Sequence, residues 1–204
     1  MIWYLLQGLG YGGAAAAQPG PFQAYLLSQT LKNGLGSTLV AALAPLMSDG
    51  PIVLLVLLVL TQMPDWFVAA LRFAGGFFLL YLAVRAYKAG QVTVDTAVPQ
   101  PQKKQSIREA AIMNMLSPNA YIFWSTIAGP IFLEGWRQAP THGLAFMIGF
   151  YGALIGGFMS FVVLFGILGQ ASPRLNRVLG LVSAVALFGF GLYQIWLGAQ
   201  RFFV

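Results

Sequence analysis

Six apolar stretches decide what this chain can fold into. They run over roughly residues 2–30, 35–61, 66–87, 108–133, 143–170 and 177–200, each free or nearly free of charge. About 20 apolar residues cross the hydrocarbon core of a bilayer as a helix, and each stretch clears that length. Of the 204 residues, 58% are hydrophobic and 8% charged, against about 25% charged in soluble domains. The expected class is therefore an all-α integral membrane protein, with the lipid bilayer as its solvent. The net charge of +6 rests on a few bases in loops, which points to orientation in the membrane and away from nucleic acid. Cysteine is absent, which excludes disulfides, thiolate metal sites and thiol nucleophiles. The one histidine, His142, falls in a polar connection. No metal site and no cofactor is expected.

The first stretch is interrupted at Gln18-Pro19-Gly20-Pro21. Pro19 and Pro21 have no N–H, so the carbonyls of Ala15 and Ala17 lose their helical partners, and Gly20 loosens the backbone at the same point. Neither flank spans a bilayer alone, so the segment reads as one transmembrane helix broken near its centre. Irregular backbone at membrane depth survives only where protein buries it or where it lines a wet cavity. Such a break points to a transport site; a plain proline kink is the alternative. Ala14-Ala15-Ala16 imitates a signal-peptide cleavage site, but no basic residue precedes Lys32 to form the positive region such a peptide needs.

The one long polar segment, residues 89–105, holds Asp95, Pro99, Pro101, Lys103 and Lys104. It reads as a cytoplasmic linker between a first three-helix repeat, residues 1–88, and a second, residues 106–204. In the second, Ser117-Pro118-Asn119 interrupts the fourth stretch, and Pro118 follows Pro19 by close to half the chain. Three helices per half make the second half enter from the opposite side, so the fold expected is two inverted repeats with broken first and fourth helices. Matched breaks of this kind mark substrate sites in secondary transporters. Lys32, Arg85, Lys88, Lys103, Lys104, Arg108, Arg174 and Arg177 share one side, against Arg72, Arg137 and Arg201 on the other. The first side is then cytoplasmic and both termini are non-cytoplasmic. Trp3, Trp66, Trp136 and Trp196 fall near helix ends on the non-cytoplasmic face.

Asp49, in Ser48-Asp49-Gly50-Pro51, alone among the five acidic residues sits deep in a stretch. A carboxylate there costs about 2.5–3.5 kcal/mol on insertion scales and is normally kept facing a cavity or a partner. Counting from the helix ends places it level with Pro19 and Pro118. The structural alternative is a cap on a helix restarting at Pro51.

These residues carry a family resemblance. Gln18-Pro19-Gly20-Pro21, Lys32-Asn33-Gly34, and Ala41-Ala42-Leu43 through Ser48-Asp49-Gly50 resemble the first two helices of the lysine exporter (LysE/RhtB) family of amino-acid translocators. Gly75-Gly76-Phe77, Tyr81-Leu82, Arg85-Ala86, Asn114 through Ala120, Leu175-Asn176-Arg177 and Gly189 through Tyr193 extend the match over nearly the whole chain. The resemblance implies export of amino acids or similar small zwitterionic or cationic solutes across the cytoplasmic membrane of a prokaryote, driven by protons or by the membrane potential. One departure is Ser117-Pro118-Asn119, where the family often shows Asn-Pro-Lys, which removes a cation at membrane depth.

An alternating-access carrier would use the broken helices as opposed dipoles. Half-helix N-termini after Pro21 and Asn119 suit a carboxylate. Asp49 and the freed carbonyls of Ala15, Ala17 and Asn114 suit an ammonium or a proton, with Asp49 as the coupling residue that alternates between protonated and substrate-paired states. The expected substrate shell is Gln18, Pro19, Gly20, Pro21, Ser48, Asp49, Asn114, Ser117, Pro118 and Asn119, although the polar members serve equally to satisfy broken backbone, and Asn114 equally as an interhelical hydrogen bond. Gly143, Gly149, Gly152, Gly156, Gly157, Gly166 and Gly169 in the fifth stretch permit close packing, either within the monomer or across a homodimer. An intramembrane hydrolase lacks a catalytic pair, and a scaffold has no need of Asp49 beside matched breaks. A cation exporter is the closer rival, because carbonyls and a carboxylate suit hard ions.

Overall fold

A computed structural model describes residues 1–18, 20–58, 65–91, 103–171 and 173–200, and all regular structure among them is helical. In chain order the elements are α1 (Ile2–Ala17), α2 (Pro21–Asn33), α3 (Leu35–Ala41), α4 (Ala44–Leu58), α5 (Asp65–Gln91), α6 (Lys103–Met115), α7 (Pro118–Phe123), a π-helical turn (Trp124–Ala128), α8 (Gly129–Gln138), α9 (Pro140–Ala171) and α10 (Pro173–Gln200). Among the described residues, four segments are long and apolar enough to cross a membrane: Leu35–Val56, Trp66–Lys88, Pro140–Leu168 and Arg177–Gln200.

The other two expected stretches are interrupted where the prolines fall. α1 ends at Ala17, and α2 begins at Pro21 behind Gly20, whose backbone is fully extended. Pro19 itself lies outside the described residues. α6 ends at Met115, and Pro118 opens α7 behind an extended Ser117. A proline at a first helical position loses nothing by lacking an N–H, so each restarts a helix it could not have continued.

Three expectations need correction. The second stretch is not one uninterrupted helix: the chain turns at Ala42–Leu43 between α3 and α4. Nor does Asp49 cap a helix restarting at Pro51, since α4 already runs from Ala44 through Pro51 and holds Asp49 in its interior. His142 sits in the first turn of α9 rather than in a connection, stacked on Tyr4 at 5.2 Å. At the expected linker, residues 89–91 and 103–105 are helical and residues 92–102 lie outside the described residues.

Seven consecutive residues of α2, Ala24 to Thr30, are buried. A helix covered on every side is the centre of its bundle, and α3, α5, α6, α9 and α10 all touch it. α1 and α2 both run parallel to α9, because their partners ascend together: Leu5 meets Gly149, Gly12 meets Phe150, Ala16 meets Gly157 and Thr30 meets Gly166. The interruption at residues 18–20 therefore does not reverse the chain. α5 and α10 run antiparallel, with Arg72 donating to Gln194 at 3.3 Å while Gly76 abuts Gly191. Gly143, Gly149, Gly157 and Gly166 all meet neighbours within this chain, whereas Gly152 and Gly156 face open space. Trp3, Trp66, Trp136 and Trp196 are exposed, as an interfacial belt requires, and Trp124 is buried.

Candidate functional site

Asp49 is 4% exposed and collects donors from two other helices. Asn114 Nδ2 of α6 donates to Oδ1 at 2.6 Å, and Tyr151 Oη of α9 donates to Oδ2 at 2.9 Å. The indole of Trp124, at the start of the π-helical turn, lies beside the same carboxylate. π-Helical turns are rare and recur at functional sites, and this one sets a buried indole beside the carboxylate. Asn114 also donates to Ser48 Oγ at 2.8 Å, and that hydroxyl passes its own proton to the carbonyl of Ala44 at 3.0 Å. Neutral donors thus hold the buried acid by hydrogen bonds, the condition under which such a group is tolerated at depth.

Of the ten residues expected to share one shell, the fold brings Ser48, Asp49 and Asn114 into direct contact beside the second break. The carbonyl of Asn114 is not free, since it accepts from the N–H of Ser117 at 3.1 Å. Tyr121 Oη fills the carbonyl of Met115 at 2.9 Å. Pro118 is buried and Asn119 exposed.

Gln18, Gly20 and Pro21 belong to a separate locus. There Gln23 Nε2 donates to the carbonyls of Ala16 at 3.1 Å and Gln18 at 2.6 Å. Beside it opens a cavity of about 520 Å³ between the α1–α2 break, α9 and α10, walled by Ala16, Gly20, Gln23, Gly157, Ser183 and Phe190 among others. Asp49 is not among its lining residues. The single layer expected from counting along the helices is thus two loci, one at each break.

A third cluster joins α2, α5 and α6. Glu109, 8% exposed, pairs with Arg85, accepts from Tyr25 Oη at 3.3 Å, and Arg85 stacks over the Tyr81 ring. Lys32, in the last turn of α2, lies nearby. Partial burial first, and repulsion from Arg85 second, hold its ammonium below the usual lysine range, with Glu109 opposing.

Sequence reasoning missed Gln23, Trp124, Tyr151 and the Arg85–Glu109 pair. Gln23 is the polar residue one turn after a predicted break, and that position was a usable signal. Nothing local marks Trp124 or Tyr151, whose partner is distant in the chain.

The family model of the LysE type translocators matches residues 14–198. The chain belongs to that family. No curated protein and no solved structure matches it. The match takes in both breaks, Asp49 with its donors Asn114 and Tyr151, nearly all of the cavity wall and the Arg85–Glu109 pair. This LysE-type translocator is a multi-pass membrane protein and a membrane transporter, which sets aside the scaffold alternative.

Proposed function

We propose that this translocator is a secondary transporter that exports amino acids or similar small zwitterionic or cationic solutes across the cytoplasmic membrane of a prokaryote by alternating access. The observation that carries the proposal is the cavity of about 520 Å³ at the interrupted first helix. Ligand pockets commonly enclose about 300–1,000 Å³. Irregular backbone there, with Gln18 exposed, belongs against water or substrate rather than hydrocarbon. Gly20 and Pro21 open the N-terminus of α2 toward the same wall, a favourable place for a carboxylate.

The architecture proposed is six crossings in two inverted halves, residues 1–88 and 106–204, joined by a cytoplasmic linker, with both termini outside. The packing supports it. If an inverted repeat exchanges the first stretch with the fourth and the second with the fifth, contact of the first with the fifth requires contact of the fourth with the second. α1 packs on α9, and α6 packs on α3 and α4. Under the same operation the third and sixth stretches exchange with each other, and α5 packs on α10.

Asp49 is proposed as the coupling residue, protonated and deprotonated in turn as the carrier cycles. A cation exporter is the weaker rival, because neutral donors already occupy both carboxylate oxygens. The test is flux in sealed proteoliposomes of radiolabelled amino acids and, separately, of divalent cations under imposed pH and potential gradients. Gradient-dependent amino-acid flux is expected. Cation flux without amino-acid flux would replace the proposal with its rival.

A further inference from the structure

The two helix breaks settle their freed carbonyls differently. At the second, one hydroxyl, Tyr121 Oη, meets one carbonyl, that of Met115. At the first, two carbonyls, Ala16 and Gln18, converge on a single nitrogen, Gln23 Nε2, in the wall of the large cavity. Both N–H groups of that amide are spent on them. A primary ammonium offers three N–H donors and a positive charge, and charge-assisted hydrogen bonds to carbonyls are roughly twice as strong as neutral ones.

The rest of the wall restricts what can accompany that ammonium. None of the described lining residues is charged, and the polar side chains among them are Gln23 and Ser183. Ser183 has already committed its proton, donating to the carbonyl of Gly180 at 2.8 Å. Leu27, Phe161, Val182 and Phe190 supply the apolar surface. With the carboxylate at the N-terminus of α2, a further charge on the substrate's side chain would leave water there without a partner, which costs several kcal/mol unless it is paired. An aliphatic or aromatic side chain meets no such penalty and gains from burial.

We propose that the Gln23 amide holds the place of the substrate's ammonium group in the empty carrier, and that the cavity accepts amino acids with uncharged, apolar side chains. The assignment rests on the export proposal above and narrows its substrate. Binding displaces the amide: the ammonium takes the carbonyls of Ala16 and Gln18, and the freed Gln23 side chain turns into the cavity.

The experiment uses the full chain in sealed proteoliposomes and reads counterflow of leucine, phenylalanine, alanine and lysine. Leucine and phenylalanine are expected to exceed lysine by about tenfold or more. Gln23→Lys places a tethered ammonium against the two carbonyls, so the protein should keep its Tm in detergent while leucine counterflow falls about tenfold or more. Gln23→Leu removes the displaced group, so KM for leucine should fall while the maximal rate also falls, a split that a merely structural cap would not produce. Ala186→Phe fills the cavity and should suppress phenylalanine more than alanine.

Lysine counterflow equal to that of leucine overturns the substrate class. An unchanged KM and rate in Gln23→Lys overturns the ammonium site, and unchanged selectivity in Ala186→Phe overturns the cavity as its seat. These three failures leave amino-acid export standing. Absence of counterflow for every amino acid in folded protein overturns both proposals together.

Discussion

The phenol of Tyr151 donates to Asp49 Oδ2 at 2.9 Å, joining α9 to α4 across 102 residues of sequence. Tyr151→Phe removes one donor and leaves nearly the same volume. A hydrogen bond to a charged group contributes about 1.5–3 kcal/mol, so Tm in detergent should drop measurably. Asn114→Leu should drop it as well. The double variant should lose less than the sum of the two, because both donors serve one carboxylate. Strict additivity in thermal unfolding would mean that the carboxylate is not the shared element.

Close approach of α1 to α9 makes a sharper prediction. A Cβ at Gly12 would lie 2.1 Å from the carbonyl oxygen of Phe150, whereas a Cβ at Gly10 meets nothing within 4 Å. Backbone cannot yield as a side-chain tip can, so Gly12→Leu must separate the two helices. Overpacking of this kind costs at least about 1–3 kcal/mol. Gly12→Leu should abolish folded, monodisperse protein, while Gly10→Leu should purify like wild type. Equal yields of the two would show that α1 and α9 are not packed this closely.

How much of this was legible beforehand depended on whether the signal was local. Pro21 and Pro118 announced their breaks because a missing N–H acts on its own helix. Asp49 stood out because a lone acid in an apolar run is costly wherever the chain folds. Counting from helix ends grouped it with both breaks, whereas it contacts Asn114 beside the second and does not line the cavity at the first. Pro51 looked like a restart because proline disfavours helix interiors, yet α4 runs through it. Trp124 was the one tryptophan left out of the interfacial belt, and burial beside Asp49 is the reason. Glu109 passed unnoticed since it lies at the end of its stretch beside Arg108, where an acid is unexceptional.

The Arg85–Glu109 pair should behave as a joint among three helices. Glu109→Gln leaves a partly buried guanidinium without its counter-charge and weakens the partner of Tyr25. Removing one member of a buried pair costs about 3–5 kcal/mol, and less here because Arg85 retains 26% exposure. The exchanged pair, Arg85→Glu with Glu109→Arg, should recover part of the lost Tm. No recovery would assign the effect to packing around Tyr25 instead of to charge.

Lys32 gives the pH dependence. Its ammonium is held below the ordinary range in the folded protein, so the unfolded chain binds the proton more tightly. Where the unfolded state binds more protons, stability rises with pH. The gain therefore develops between the lowered folded value and the ordinary value of 10.5, and is lost as pH falls through that window. Lys32→Met should raise Tm at neutral pH and flatten its alkaline rise. An identical alkaline profile in the variant would place the titration elsewhere.

Asp49→Asn separates coupling from binding. Asparagine nearly keeps the volume and removes a charge that costs about 2.5–3.5 kcal/mol to insert at depth. Its amide oxygen can still accept from Asn114, but its N–H₂ then faces Tyr151, whose hydroxyl must turn from donating to accepting, and both contacts lose the strength that a charged acceptor lends. These two effects oppose each other, and Tm should stay near that of wild type. A residue that gains and loses a proton once per cycle is needed for net transport driven by a pH gradient, but not for one-for-one exchange of substrate. The variant should therefore lose flux driven by a pH gradient while keeping counterflow, measured in the same proteoliposomes at matched protein levels. Undiminished gradient-driven flux would show that Asp49 carries no proton, and that its donors Asn114 and Tyr151 serve only to hold α4 against α6 and α9.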